Sequence, residues 1–312
     1  MTDLHGPAKT LSPLASLLAI VGLSIIWGVH WAVMKFGLRD SGPLTYSAIR
    51  CVVAAPVLLA VVKLQGRSIK LVSPRAAILV GIVQTAGNFG LGAIAVKFGE
   101  AGKSAVLTYT MPFWILVLGY IFLKDRAGPR RWIAASLAVA GTLLVALAGG
   151  RAQLAPVLLA LAAGVTWAGG VLIYQWSNRK HRDDPTAFAG WQLLVGGIAM
   201  ALFIPLTPGE SPINWTPTFI AALTYTVIPA TVVAVYLWFL LLSRLEAGMA
   251  ALGILLAPAI GLASSWITLG ERPQPVEAVG LGIILCAIAF HAWAEWQRAQ
   301  KAKRTRESSL TV

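Results

Sequence analysis

Ten apolar runs, separated only by short polar segments, constrain the fold of this sequence more than any other feature. An α-helix needs about 20 predominantly apolar residues to cross the hydrocarbon layer of a bilayer. The chain is 57% hydrophobic and only 12% charged, about half the charged fraction of a typical soluble protein. The sequence therefore predicts an all-α integral membrane protein with ten transmembrane helices. The runs are 14–34, 43–63, 76–96, 104–123, 131–149, 154–176, 187–206, 217–242, 248–269 and 276–295.

The 25 Lys and Arg residues are unevenly distributed over the segments between these runs. With a cytoplasmic N-terminus, segments on the cytoplasmic side hold 18 of them, segments on the opposite side hold six, and Arg50 lies within the second run. Basic residues favour the cytoplasmic side of a membrane protein. The bias therefore predicts an even number of helices, with both termini in the cytoplasm. It also accounts for the net charge of +13 without a nucleic acid partner.

A repeated block divides the chain into two related halves of five helices. We expect the halves to be residues 1–149 and 150–312, the second ending in a basic cytosolic tail. Because five is an odd number, the second half enters the membrane from the opposite side, which gives the inverted repeats found in many transporters. The corresponding positions, 146 residues apart, are Glu100-Ala101-Gly102 and Glu246-Ala247-Gly248, Pro112 and Pro258, and Asp125-Arg126 and Glu271-Arg272.

Three prolines interrupt the predicted helices within the membrane. Pro112 and Pro258 lie near the centres of helices four and nine, and Pro229 lies in helix eight. Proline has no N–H to bond the carbonyl four residues back, so each position predicts a kink beside protein or a cavity. Two interpretations remain open, a hinge next to the substrate and a static bend that improves packing.

Polar and aromatic side chains interrupt the apolar runs on helices one, three, four, six and eight. Amides and hydroxyls in lipid need a partner, so hydrogen bonding between helices is the simplest interpretation. Their spread over both halves favours a second interpretation, a hydrated and aromatic-lined cavity that binds a substrate. The candidate cavity residues are Trp27, His30, Gln84, Asn88, Thr108, Tyr109, Trp167, Tyr174, Tyr225 and Tyr236.

The acidic residues avoid the apolar runs, since all 12 lie in polar segments, in tails or at helix ends. Ionisable residues inside a membrane commonly mark proton or cation sites, so carboxylate-driven drug antiport is disfavoured. Arg50 is a candidate polar anchor that can either pair with a substrate carboxylate or bond backbone carbonyls and stabilise the fold. We find no pattern typical of a catalytic, metal or cofactor site, and therefore expect a transporter rather than an enzyme.

Small residues form a stripe along helix five and another along helix ten. They include Ala134, Ala138 and Gly141 in helix five, and Gly280 and Gly282 in helix ten. Small residues let two helices approach closely in a membrane. Packing within the chain is the favoured interpretation and a dimer face is the alternative, so the oligomeric state stays open between monomer and homodimer.

Several of these residues also resemble a known family. Trp27-Gly28, Lys35 at the end of the first run, Arg50, and the repeated block with Pro112 are similar to the EamA branch of the drug/metabolite transporter superfamily, over essentially the whole chain. The resemblance implies a bacterial inner-membrane exporter of amino acids or related metabolites. Within that branch, the YddG-type aromatic amino acid exporters suit an aromatic interior without carboxylates. Gln192 stands in the second half where the first has Arg50, so a role of Arg50 need not be symmetric.

The resulting hypothesis is alternating-access export of neutral or zwitterionic small molecules, aromatic or hydrophobic amino acids above all. Helices one, three, four, six, eight and nine are expected to line a cavity between the halves. The first alternative is efflux of aromatic cations or toxic metabolites, which a tryptophan-rich cavity also suits. An alternative of another class, a membrane-embedded lipid-modifying enzyme, is disfavoured because it would need a catalytic acid or metal site.

Overall fold

The protein is a bundle of helices. The computed structural model describes residues 13–124, 128–148, 150–181, 183–207, 209–244 and 256–310, and none of these residues forms a β-strand. The helical spans are α1 (Pro13–Gly37), α2 (Pro43–Leu64), α3 (Pro74–Val80, a π-helical segment Gly81–Gly90, and Leu91–Phe98), α4 (Ala101–Thr108 and Met111–Leu123), α5 (Pro129–Ala148), α6 (Gly150–Asn178), α7 (Pro185–Phe203, then a 3-10 turn Ile204–Leu206), α8 (Pro217–Val227, a π-helical segment Ile228–Val233, and Ala234–Arg244), α9 (Leu256–Leu269) and α10 (Pro275–Leu310).

Within the described ranges, nine of these spans are long and apolar enough to cross a membrane. The tenth, α9, is described over 14 residues and begins directly after residues 245–255, which lie outside the description. The predicted all-helical membrane fold is therefore confirmed. Two parts of the repeated block, Glu246-Ala247-Gly248 and Asp125-Arg126, lie outside the described residues, as do the side chains of the basic tail beyond residue 300.

Proline and cap residues determine where many of the helices begin. The first residue of α1, α2, α3, α5, α7, α8 and α10 is proline. Proline suits the first helical position because its fixed φ matches a helix and its missing N–H would have no partner there. Asp184 reinforces the start of α7, since its carboxylate accepts hydrogen bonds from the backbone N–H groups of Thr186 and Ala187 at 3.0 and 2.9 Å.

The break in α4 coincides with Pro112. The first part of α4 ends at Thr108, and Pro112 lies in the first turn of the second part. The Thr110 hydroxyl donates to the Leu107 carbonyl at 2.6 Å and accepts from the Trp114 indole N–H at 3.1 Å. The discontinuity expected at this proline is therefore an interruption of the helix at residues 109 and 110, where the Thr110 hydroxyl supplements the turn bond from its own backbone N–H to the same Leu107 carbonyl.

Two π-helical segments lie at corresponding places in the two halves. Adding the repeat offset of 146 to Gly81–Gly90 gives residues 227–236, and this range contains the second segment, Ile228–Val233. Pro229 belongs to the second segment, where the Thr231 hydroxyl donates to the Thr226 carbonyl five residues back at 2.7 Å. Wide π-helical turns inside α-helices are frequent at functional sites.

Pro258 is buried near the start of the described part of α9. The carbonyl four residues before it belongs to Ile254, which lies outside the described residues. The kink expected there from the sequence thus falls at the edge of what the structure describes.

The principal helix contacts join one half of the chain to the other. α1 packs against α8 and α9, and α6 packs correspondingly against α3 and α4. In addition α2 packs on α7, α5 on α10 and α4 on α9. If α1–α5 are exchanged with α6–α10, the contacts of α1 become those of α6, and the α2–α7, α5–α10 and α4–α9 contacts map onto themselves. α3 also packs on α7, and its exchanged counterpart, α2 on α8, is present as well. The two halves therefore occupy corresponding places in the bundle.

The small-residue stripes of α5 and α10 face each other. A Cβ atom added to Gly141 would lie 2.6 Å from the Gly280 carbonyl oxygen, and one added to Gly280 would lie 2.7 Å from the Gly141 carbonyl oxygen. These distances are too short for real side chains, so the two backbones touch where both residues are glycine. Close packing within the chain, the favoured interpretation of the stripes, is confirmed for Gly141 and Gly280, whereas a Cβ atom added to Gly282 would meet no atom within 4 Å.

Candidate functional site

A cavity of about 460 Å³ lies between the two halves. Residues of α1, α2, α3 and α4 form one part of its wall, and residues of α6, α7 and α8 form the other. Its size falls within the range of small-molecule sites, and its lining has their usual character, mostly apolar and aromatic with a few polar groups. The aromatic residues that line it are Trp27, Trp31, Phe89, Tyr109, Trp167, Tyr174, Phe188, Trp238 and Phe239.

Most of the candidates from the sequence meet at this cavity. Three of them have other positions. The Thr108 hydroxyl donates to the Ala160 carbonyl at 3.2 Å, and the Tyr225 hydroxyl donates to the Ile26 carbonyl at 3.0 Å. The Tyr236 hydroxyl accepts from the Gln65 amide at 2.9 Å. The bonds of Thr108 and Tyr225 join two helices, the simpler interpretation offered above, and the bond of Tyr236 joins α8 to Gln65, directly after α2. The candidates that do line the cavity are Trp27, His30, Arg50, Gln84, Asn88, Tyr109, Trp167 and Tyr174.

The set of helices around the cavity differs from the expected one in two respects. α2 contributes Arg50, and α7 contributes several residues including Phe188 and Gln192. Neither helix was expected to line the cavity. α9 was expected there, but none of its described residues lines the cavity. The position of Gln192 brings it to the same cavity as Arg50, its counterpart in the repeat.

Aromatic pairs build the walls from residues far apart in sequence. Trp27 of α1 lies 6.0 Å from Trp238 of α8 between ring centroids, and its indole N–H donates to the Ala230 carbonyl at 3.1 Å. Tyr109 and Trp167 meet edge to face at 5.6 Å. Such pairs stabilise ring orientation, so these rings present defined surfaces to a ligand.

Trp31 and Trp238 are cavity residues that the sequence candidates omitted. Helical spacing was an available signal for Trp31, since it lies one turn after Trp27 on the same helix. Nothing in the sequence around Trp238 distinguishes it from tryptophans that lie outside the cavity. Trp266, for example, is half-exposed on the outer surface of the bundle, and the Trp191 N–H donates to the Ile69 carbonyl at 2.8 Å.

Amide side chains supply the neutral polar groups of the cavity. The Asn88 amide donates to the Ala163 carbonyl at 2.9 Å and thereby joins α3 to α6. Gln84, Gln175 and Gln192 line the cavity, and within the described residues no protein group bonds their side-chain amides. An amide both donates and accepts hydrogen bonds, so these groups are available to water or to a polar substrate.

Arg50 is the charged residue among the described residues that line the cavity. It is 6% exposed, its Nε donates to the Thr231 hydroxyl at 2.7 Å, and its Nη1 lies 3.1 Å from Nε2 of His30. The guanidinium carbon lies 4.0 Å from the centroid of the Phe89 ring. Among the described residues no carboxylate forms an ion pair with Arg50, and none lines the cavity.

The described acidic residues lie at the ends of the bundle. At one end Lys103 pairs with Glu277 at 2.6 Å and with Glu100 at 3.5 Å. Burial raises the pKa of the Glu100 carboxyl above its usual range, although the nearby Lys103 ammonium opposes this shift. Also within the described residues, no group of three or more His, Cys, Asp or Glu side chains could hold a metal ion.

Acidic side chains also connect the loops of the two halves. Glu210, between α7 and α8, accepts from the Leu44 backbone N–H at 2.6 Å and from the Thr45 hydroxyl at 2.7 Å. Asp183, between α6 and α7, accepts from the Val72 backbone N–H at 2.5 Å and from the Ser73 hydroxyl. Each loop thus holds the helix ends of the opposite half.

Comparisons with known proteins agree with the two-part architecture. The model of the EamA-like transporter family matches residues 14–147 and again residues 154–293. The uncharacterized transporter YoaV of Bacillus subtilis is 24% identical, over 89% of this chain and 96% of its own length. A probable amino-acid metabolite efflux pump of Salmonella typhimurium is 27% identical, over 86% of this chain and 92% of its own.

The fold also occurs among solved structures. One protein with a crystal structure superposes on this chain with a TM-score of 0.63, at 18% sequence identity, over 88% of this chain and 96% of its own. At this identity the similarity establishes the fold alone.

Proposed function

Because this chain belongs to the EamA-like transporter family, we propose that it exports amino acids, aromatic or hydrophobic ones above all, or related small metabolites. The chain is a multi-pass membrane protein. The proposed location is the bacterial inner membrane, with both termini in the cytoplasm, since this orientation places most basic residues on the cytoplasmic side. The name of the Salmonella relative, a probable amino-acid metabolite efflux pump, supports the substrate class.

The observation that carries the proposal is the cavity itself. Both halves contribute to it, its walls are aromatic, and its polar groups are an arginine, a histidine and several amides. Apolar walls with a few placed polar groups are typical of sites for small molecules. A molecule with a ring or branched apolar side chain at one end and hydrogen-bonding groups at the other complements this lining.

The mechanism proposed for transport is alternating access between two inverted halves. An odd number of helices in each half, together with contacts that map onto each other when the halves are exchanged, supports the inversion. The broken α4 and the π-helical part of α8 supply irregular backbone beside the cavity, and Pro112, Pro229 and Pro258 are the proposed hinge residues. Rocking of one half against the other would open the cavity to each side in turn.

Transport is proposed to be facilitated or only weakly coupled to protons. Proton-driven transporters commonly place a carboxylate within the membrane. The described acidic residues of this chain lie at the ends of the bundle, away from the cavity.

Flux in proteoliposomes tests the proposal. Purified protein should carry labelled tryptophan and threonine, and an imposed proton gradient should change the initial rate little. Trp167→Ala should raise the half-saturating tryptophan concentration by roughly tenfold or more, because a buried aromatic contact stabilises the bound ligand by about 1.5–3 kcal/mol. Trp266→Ala, which changes an exposed ring outside the cavity, is the matched control and should leave flux unchanged.

Two results would contradict the proposal. Absence of flux for every amino acid tested would reject the substrate class. A strict requirement for a proton gradient would reject the weak coupling and leave the substrate class in place.

A further inference from the structure

We propose that Arg50, held in place by His30, forms a carboxylate-binding subsite within the cavity, so that the transported molecule must carry a free carboxylate. This inference rests on the proposed function, since it names the chemical group by which an exported amino acid would be held. It goes beyond that function by assigning the group to Arg50 and by excluding amines and cations of the same size and shape.

The first argument is the uncompensated charge of Arg50. Its side chain is 6% exposed, and the ion pairs of the described residues all lie elsewhere, at Arg67 and Lys103. A guanidinium keeps its proton at any physiological pH, so the positive charge persists inside the bundle. A buried charge without a counter-ion is costly, and charged residues inside membranes generally pair with one another or serve a ligand.

The second argument is the number of hydrogen-bond donors that remain. Arg50 has five N–H groups, of which one reaches the Thr231 hydroxyl and another reaches His30. Among the described residues the other three N–H groups have no partner. A guanidinium presents its donors as a planar fork that matches the two oxygens of a carboxylate. The free donors of Arg50 therefore fit the end group of an amino acid.

His30 positions Arg50 from α1. Since Arg50 can only donate, Nε2 of His30 accepts the bond between them, and the ring proton of neutral His30 lies on Nδ1. Nδ1 is buried out of contact with the cavity. The contribution of His30 to the subsite is therefore to hold the guanidinium, whose remaining N–H groups are the donors for a ligand.

The third argument is that Arg50 is held in place before any ligand binds. The Thr231 hydroxyl that accepts from Nε is itself bonded to the Thr226 carbonyl, within the π-helical segment of α8. The guanidinium also packs against the Phe89 ring, whose centroid lies 4.0 Å from the guanidinium carbon. A charged group fixed in this way loses little freedom on binding a ligand, which favours affinity.

A purely structural role for Arg50 is the competing explanation. Its two bonds join α2 to α1 and α8, and such a tie could stabilise the bundle alone. The two explanations differ in one property. If Arg50 is only structural, ligands with and without a carboxylate should bind equally well. If Arg50 binds the ligand, those with a carboxylate should bind much more tightly.

A ligand panel on the unaltered full-length protein separates these explanations. Binding would be measured in detergent micelles by isothermal titration calorimetry with tryptophan, tryptophan amide, tryptamine and indole-3-propionate. Tryptophan and indole-3-propionate should bind. Tryptophan amide and tryptamine should bind at least about tenfold more weakly, the effect expected from losing one charge-assisted hydrogen bond.

The other outcomes of the panel are equally informative. Equal binding of all four ligands, or tighter binding of tryptamine, would overturn the carboxylate subsite while leaving amino acid export intact. Binding of indole-3-propionate without binding of tryptophan would support the subsite and contradict amino acid export. If none of the four ligands bound, both the carboxylate subsite and the proposed amino acid export would be contradicted.

Variants then assign the effect to Arg50. Arg50→Gln gives the first half the same residue as Gln192 and should abolish the preference for carboxylates, whereas Arg50→Lys should retain part of it because the charge remains. Arg39→Gln removes an equal charge from an exposed position outside the cavity and should keep the full preference. An unchanged preference in a folded Arg50→Gln protein would reject the assignment.

Discussion

Lys103 and Glu277 illustrate at the residue scale how much a single pair of charges contributes when both are buried. Each side chain is 4% exposed, and the 2.6 Å contact joins α4 to the first turn of α10. Glu277→Gln should destabilise the protein by about 3–5 kcal/mol, because it leaves the Lys103 ammonium without its closest partner. The apparent melting temperature in detergent, at fixed pH and detergent concentration, is the measurement.

A more exposed pair provides the control for this prediction. Arg67 and Asp184 lie 2.9 Å apart but are 37% and 19% exposed, so Arg67→Gln should cost about 1 kcal/mol or less. Replacing both buried charges, as Lys103→Met with Glu277→Leu, should recover much of the lost stability. If Arg67→Gln lowered the melting temperature as much as Glu277→Gln, burial would not be the deciding factor.

The polar residues of the membrane show the limit of sequence analysis at this scale. Sequence alone identified Gln84, Asn88 and Tyr109 as polar groups that need a partner, and all three line the cavity. It identified Tyr225 and Tyr236 by the same reasoning, yet these two lie outside the cavity and bond Ile26 of α1 and Gln65 after α2. The choice depends on which atoms of another helix lie within reach, and this information is not local.

At the scale of elements, glycine contacts decide how closely α5 and α10 approach. Gly280→Val should destabilise the protein by roughly 1–3 kcal/mol, since its Cβ would collide with the Gly141 carbonyl. Gly282 lies in the same helix, and a Cβ added there meets no atom within 4 Å. Gly282→Ala should therefore be neutral or stabilising by up to about 1 kcal/mol. Thermal unfolding of both variants checks the pair, and equal losses would contradict a specific backbone contact.

Helix irregularities were only partly foreseeable from the sequence. The prolines predicted interruptions in α4 and α8, because their missing N–H groups are visible in the sequence, and the structure has a break and a π-helical segment there. The π-helical segment of α3 contains no proline. It packs against α6 and α7, and the sequence of α3 reveals neither these contacts nor the wide turns.

At the scale of the whole molecule, the number and order of the spans followed directly from the apolar runs, because bilayer thickness sets the length of each span. The sequence did not predict which helices pack against each other, because one apolar helix surface in lipid resembles another. The contribution of α2 and α7 to the cavity is the clearest case. In α2 only Arg50 pointed to the cavity, and the alternative that it bonds backbone carbonyls left its position open, while the run of α7 gave no reason to place that helix at the centre of the bundle.

Equivalent segments of two inverted halves should lie on opposite sides of the membrane. Lys70 lies between α2 and α3, and Ser211 lies between the equivalent spans α7 and α8. After Cys51 and Cys286 are replaced by serine, Ser211→Cys should react with an impermeant maleimide in intact cells, whereas Lys70→Cys should react only after permeabilisation. Labelling of both positions from the same side would contradict the inversion.

The contacts that join α1 to α9, α2 to α7 and α5 to α10 have a consequence for biosynthesis. Translation inserts the first five helices before their partners have been made, and at that stage Arg50 still lacks Thr231, the hydroxyl that accepts from its Nε. The first five helices therefore remain incompletely packed in the bilayer until the other five have been synthesised and inserted. A message cut short near residue 149 would leave a fragment without most of its packing partners, a ready substrate for membrane proteases.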